Sequence, residues 1–99
     1  MAKISKQEYK IAKELVTTNA RDASLSIPGV SDVIDVKVGL NKEKEELIVD
    51  LFIKVKFGEK IPALSWDVQT LVNETIKKSF EGILEIKINK INIHIAGVN

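Results

Sequence analysis

LIVDLFIKVKF, Leu47–Phe57, is the stretch that decides the fold. Leu47, Val49, Leu51, Ile53, Val55 and Phe57 fall on one parity, while Ile48, Asp50, Phe52, Lys54 and Lys56 fall on the other. Successive side chains of a strand point to opposite faces, so this series predicts a half-buried strand of an antiparallel sheet. The second parity is not purely polar. Ile48 and Phe52 are directed at the side where water is expected.

Upstream, NKEKEE is too polar for anything but a hairpin connection. Before it, Ile34, Val36, Val38 and Leu40 alternate with Val33, Asp35, Lys37 and Gly39, which predicts a partner strand with the first set inward. Pro28-Gly29 supplies a fixed φ followed by a residue free to take positive φ, the requirement of a type II turn. Further back, Ser5-Lys6-Gln7-Glu8 is a capping box, with Ile4 and Tyr9 placed as a hydrophobic staple. Ile11, Ala12, Leu15, Val16, Ala20 and Ala23 then recur at helical spacing, predicting a helix over 6–23.

Downstream, Gly58 ends the strand and Pro62 suits a first helical turn. Leu64, Val68, Leu71, Val72, Thr75 and Ser79 mark one helical face, and Gly82 stands where a left-handed C-cap belongs. The last strand slips phase. Leu84, Ile86 and Ile88 share one parity, and Ile91, Ile93 and Ile95 the other. A one-residue bulge at Asn89-Lys90 returns both sets to a common face and turns Asn92 and His94 outward with Lys87. The order is α-β-β-α-β, giving an α+β fold: a two-layer sandwich of two helices on one face of a three-stranded sheet. The alternation leaves open whether the last strand pairs with the first or the second.

Ninety-nine residues suit one compact domain spanning 1–99. A net charge of +1 gives no global field toward nucleic acid or an anionic membrane. With no cysteine, disulfides, thiolate catalysis and thiolate-bound zinc are excluded, and a cytoplasmic location is expected. MAKISKQEYK leads into a charged helix rather than the apolar core of a signal peptide, and no apolar run approaches the roughly 20 residues that span a bilayer.

The residues that carry chemistry are few. One histidine without a neighbouring carboxylate on its strand predicts no metal site, and no nucleophile–base set is available, so no enzyme, catalytic residue or cofactor is expected. The clustered carboxylates of the polar loop read as a solvated turn, and no phosphate-cradling glycine motif occurs. What stands out is the outward sheet face. Lys37, Lys54, Lys56, Lys87 and Lys90 project there with Ile48, Phe52 and His94. Lysines around an aromatic suggest an RNA platform, but a single stacking ring and the acidic Asp35 and Asp50 on the same face favour a protein contact. Trp66 lies about 200° around the second helix from Leu64, at about 100° per residue. It either covers the helix start against the Pro28 turn or stands exposed as an interface anchor. The candidate partner-binding residues are therefore Ile48, Phe52, Lys54, Trp66 and His94.

Four stretches in order add a family resemblance: IPGVSDV after the first helix, LIVDLFIKVKFGEKIP, WDVQTLVNETIKKSFEG, and the closing INKINIHIAGV. Together they resemble the alkaline-shock, or general-stress, envelope proteins of Gram-positive-type bacteria over nearly the whole chain. The resemblance implies a non-catalytic cytoplasmic protein that self-assembles and is recruited to the inner face of the membrane by membrane-anchored partners. The INIHI ending also resembles a subgroup linked to fatty-acid synthesis. A small KH-like nucleic-acid-binding protein shares the element order, but that fold clamps its ligand with a GxxG loop, which this sequence lacks.

Overall fold

The computed structural model describes residues 4–99. The first three residues of the charged opening stretch lie outside them. Five elements follow in the expected order: α1 (Lys6–Leu25), β1 (Val30–Asn41), β2 (Glu46–Val55), α2 (Ile61–Phe80) and β3 (Ile88–Val98).

Helix α1 begins as its capping box requires. The Ser5 hydroxyl accepts from the Glu8 amide at 3.1 Å, and the Glu8 carboxylate accepts from the Ser5 amide at 3.3 Å. Its buried stripe, Ala12, Val16, Ala20 and Ala23, consists of small residues that allow close approach to neighbouring elements. Helix α2 buries Leu64, Val68, Val72, Ile76 and Phe80 in a strict i, i+4 series. The stripe is thus rotated from the expected one: Leu71, Thr75 and Ser79 are half-buried flanks, and Ile76 and Phe80 take the core. Gly82 stops the helix at φ +73°, the left-handed conformation anticipated for it.

The strands lie in the order β1-β2-β3, with β2 central. β1 and β2 pair antiparallel, from Val30 opposite Val55 to Asn41 opposite Glu46. β2 and β3 pair parallel, from Leu47 opposite Ile88 to Val55 opposite Val98. The sheet is therefore mixed. A parallel pair needs a crossover between its strands, and α2 supplies it. The open question of the last strand is resolved in favour of β2.

The bulge in β3 falls where the phase slip required. Leu47 faces Ile88 and Ile48 faces Lys90, leaving Asn89 extra. Ile91 is consequently buried, and Ile88, Ile93 and Ile95 pack half-buried against the core. Strand β1 carries a bulge that its alternation did not reveal. Val33 opposes Ile53 and Asp35 opposes Phe52, so Ile34 is the extra residue. The expected inward place of Ile34 passes to Val33, which is 3% exposed while Ile34 is 46% exposed. The Asp32 and Asp35 carboxylates accept from the next amides, of Val33 and Val36, and so replace the ladder partners that a bulged strand loses. Phe57 is also misplaced by simple alternation. β2 ends at Val55, and Phe57 is 87% exposed beyond it.

Both helices cover one face. Tyr9 Oη and Arg21 Nη1 of α1 donate to the β1 carbonyls of Val38 and Val33, and Gln69 Nε2 of α2 donates to the Ile91 carbonyl of β3. Beneath them Leu47, Val49, Leu51, Ile53 and Val55 form the floor of the core. Among the described residues, no helix covers the opposite face of the sheet.

Candidate functional site

The uncovered face is organised around the middle of β2. Its outward residues, Ile48, Asp50, Phe52 and Lys54, are all half-buried, because a central strand is flanked on both sides. Register decides what each one meets. Phe52 lies opposite His94 of β3 and Asp35 of β1, and Asp50 lies opposite Asn92 and Lys37.

The Phe52 and His94 rings stack with centroids 4.4 Å apart and planes inclined by 11°. Lys37 Nζ sits over the same Phe52 ring, 5.2 Å from its centre, within reach of a cation–π attraction. His94 Nε2 meets Asp50 Oδ1 at 2.9 Å, and Asn92 Nδ2 donates to that oxygen at 3.1 Å. The hydrogen bond from His94, then that from Asn92, holds the Asp50 carboxyl below the ordinary carboxylate range. Charge from His94 and Lys90 adds to this, and partial desolvation opposes it. The result is one connected cluster, Lys37–Phe52–His94–Asp50–Asn92, spanning all three strands.

Around the cluster, Ile48 faces Gly39 across the ladder, and apart from Gly39 and its chain neighbours no atom lies within 4 Å of where a Gly39 Cβ would sit. Ile48 is therefore unshielded on that side. Lys54 runs its stem past Gly97, where an added Cβ would lie 3.6 Å from it, in ordinary contact. Two of the five expected lysines are elsewhere: Lys56 follows the end of β2 and Lys87 precedes β3.

Trp66 does not cover the Pro28 turn. It is 65% exposed on α2 and flanks a groove running along β3, lined by Ser65, Trp66, Gln69, Ile91, Ile93 and His94. His94 thus belongs to the open face and also to the groove, and it links Trp66 to Phe52. Ile48, Phe52, Lys54 and His94 share one surface; Trp66 stands at its margin. Sequence reasoning missed Asp50 and Asn92 as partners of His94. Alternation already placed all three outward; only the pairing register brings them together.

Among the described residues, no group of three or more histidine, cysteine, aspartate or glutamate side chains is placed to hold a metal ion. No helix among them is long and apolar enough to cross a membrane.

Against known proteins, the sequence matches the alkaline shock protein 23 family, cell envelope-related function, over residues 1–99. The chain belongs to that family. An uncharacterized protein of Streptococcus pyogenes serotype M6 is 26% identical over 57 residues, 58% of this chain. The match spans 41% of the streptococcal protein's length. Among solved structures, a nickel form of the MamM CTD superposes with a TM-score of 0.63 at 17% identity, covering 85% of this chain and 96% of the other. A copper form gives 0.62 at 18% identity, covering 85% and 84%. A zinc form gives 0.61 at 17%, covering 88% and 84%. At such identities the likeness is one of fold. The family match covers all four stretches that carried the resemblance.

Proposed function

We propose that this family member is a non-catalytic, self-associating protein module whose contact surface is the open face of its sheet. Ile48, Phe52, Lys54 and His94 make the contact, and Trp66 extends it. The observation that carries the proposal is the state of Phe52. It is an aromatic ring on the uncovered side of the central strand, fixed in place by a stacked histidine and an overlying ammonium.

A ring already held in one orientation loses little conformational freedom on binding, which favours an interface role. The surrounding charges are mixed. Lys37, Lys54 and Lys90 stand among Asp35 and Asp50, so a second copy can be set against the face with opposite charges meeting. The same mixture weakens the nucleic-acid reading, and Phe52, the aromatic at the centre of the face, already carries His94 and Lys37. The family's envelope-related function fits a cytoplasmic module gathered at the inner face of the membrane by a membrane-anchored protein partner.

Light scattering across a concentration series tests the proposal. The wild-type mass should rise above the 11.0 kDa of the chain, and Phe52→Glu should lower it. Identical monomers for both proteins at every concentration would remove self-association. Steeply salt-dependent binding of single-stranded RNA, lost in Lys54→Glu, would establish the nucleic-acid reading instead.

A further inference from the structure

The two edges of the sheet are finished differently. Along β1, side chains already engage outward main-chain groups: the Val33 amide by Asp32, the Val36 amide by Asp35, the Val33 carbonyl by Arg21 and the Val38 carbonyl by Tyr9. Two bulges and two aspartates complete the protection. These are the devices by which an edge strand is kept from pairing with another chain.

Strand β3 also has two irregularities, at Asn89 and between Ile95 and Gly97, but the stretch between them has almost none of the other devices. The strand is eleven residues long, and Lys90, near its start, is its one Lys, Arg, Asp or Glu. Gln69 engages the Ile91 carbonyl, which shows that Ile91 turns its main-chain groups away from β2. Alternation assigns the same direction to Ile93 and Ile95. Among the described residues, no side chain hydrogen bonds to either. Their side chains lie half-buried on the helix side, and the exposed Trp66 flanks the groove beside them.

We propose that β3 pairs antiparallel with β3 of a second copy, about a two-fold axis at His94, forming a continuous six-stranded sheet. The register follows from which groups are free. The Ile91 carbonyl is occupied on one side, and a second irregularity falls between Ile95 and Gly97 on the other. That leaves Ile93 and Ile95. An axis at His94 sets Ile93 opposite Ile95 of the second copy, and the converse. Each hydrogen-bonded pair in an antiparallel ladder exchanges both of its bonds, so all the free groups of Ile93 and Ile95 are satisfied. A copy of the same strand fits because Ile91–Val98 contains no lysine, arginine or carboxylate, so the two-fold brings no fixed like charges together. The arrangement uses the edge rather than the open face, and it would double the area of that face.

Sedimentation velocity and amide hydrogen exchange test it together. Wild-type protein should populate a species of twice the 11.0 kDa chain mass, and the Ile93 and Ile95 amides should become more protected as concentration rises. Ile93→Pro removes an amide that β2 does not use, at an edge position where proline is tolerated, and should weaken pairing by at least about ten-fold. Phe52→Glu should lower the mass only as far as this dimer, whereas Ile93→Pro should break the dimer itself, which separates failure of the face from failure of the edge. A foreign strand as the natural occupant would appear as a wild-type monomer, with both amides exchanging equally fast at every concentration. That result, or an Ile93→Pro protein that dimerises as the wild type does, overturns the proposal.

Discussion

Strand β2 has two faces of five residues each, and the two have opposite fates. Leu47, Val49, Leu51, Ile53 and Val55 are 0–1% exposed beneath the helices. Glu46, Ile48, Asp50, Phe52 and Lys54, one step along the same backbone, remain half-open to solvent. Local conformation is the same for both sets. The difference comes from what the rest of the chain brings over them: small-residue α1 and the i, i+4 stripe of α2 on one side, and only short side-chain contacts between strands on the other. The covered face holds the fold together. The open face is not needed for that, so its apolar residues call for another explanation.

Substitutions on the two faces should therefore separate stability from association. Leu51→Ala should have the largest effect on stability, lowering it by about 2–5 kcal/mol in denaturant unfolding, because a fully buried leucine leaves a cavity. Its neighbour Phe52, changed to Glu, loses the His94 stack and the Lys37 contact and should cost about 1 kcal/mol, well below Leu51→Ala, yet reduce association in light scattering. If Phe52→Glu unfolds the protein as Leu51→Ala destabilises it, the two faces are not distinct.

A smaller effect is expected from pH. The folded-state pKa of Asp50 is depressed by His94 and Asn92. A depressed carboxyl contributes stability above its unfolded pKa, about 4, and loses that contribution as pH falls through the folded value. Asp50→Asn should thus flatten the acid limb of the stability–pH curve slightly, the effect being small because the pair is largely solvated. Equal acid slopes in wild type and variant would show that the cluster does not form in solution. Gly39→Ala should change stability least, by a few tenths of a kcal/mol, since outside Gly39 and its chain neighbours no atom lies within 4 Å of where its Cβ would sit. If the gap beside Ile48 is part of the contact, this variant should still weaken association.

Much of this architecture is legible in the residues. Alternation over 47–57 marks β2 but carries it two residues too far, to the exposed Phe57; Ser5 and Glu8 mark the start of α1; and the parity slip at Asn89 marks the bulge of β3. Other features were not legible, among them the Pro28-Gly29 turn, where Gly29 does not take the positive φ that a type II turn needs. Ile34 looked inward because alternation carries no mark for the bulge beside it; the aspartates that stabilise that bulge read as ordinary outward residues. The face of α2 was displaced by one position toward Thr75 and Ser79, since Leu71 fits either stripe and only packing distinguishes them. The parallel β2–β3 pair, and with it the Asp50–His94 contact, depends on where α2 returns the chain, which period-2 patterning does not encode. The site residues share that limit: direction could be read from parity, but partnership required register.

Hydroxyl-radical footprinting over a concentration series tests the central claim most directly, because the molecule contains its own control. Phe57 is 87% exposed just beyond β2, and Phe52 and His94 lie on the open face. The account predicts that oxidation of Phe52 and His94 falls as the protein is concentrated while that of Phe57 stays constant. Rates for all three that do not change with concentration would contradict it.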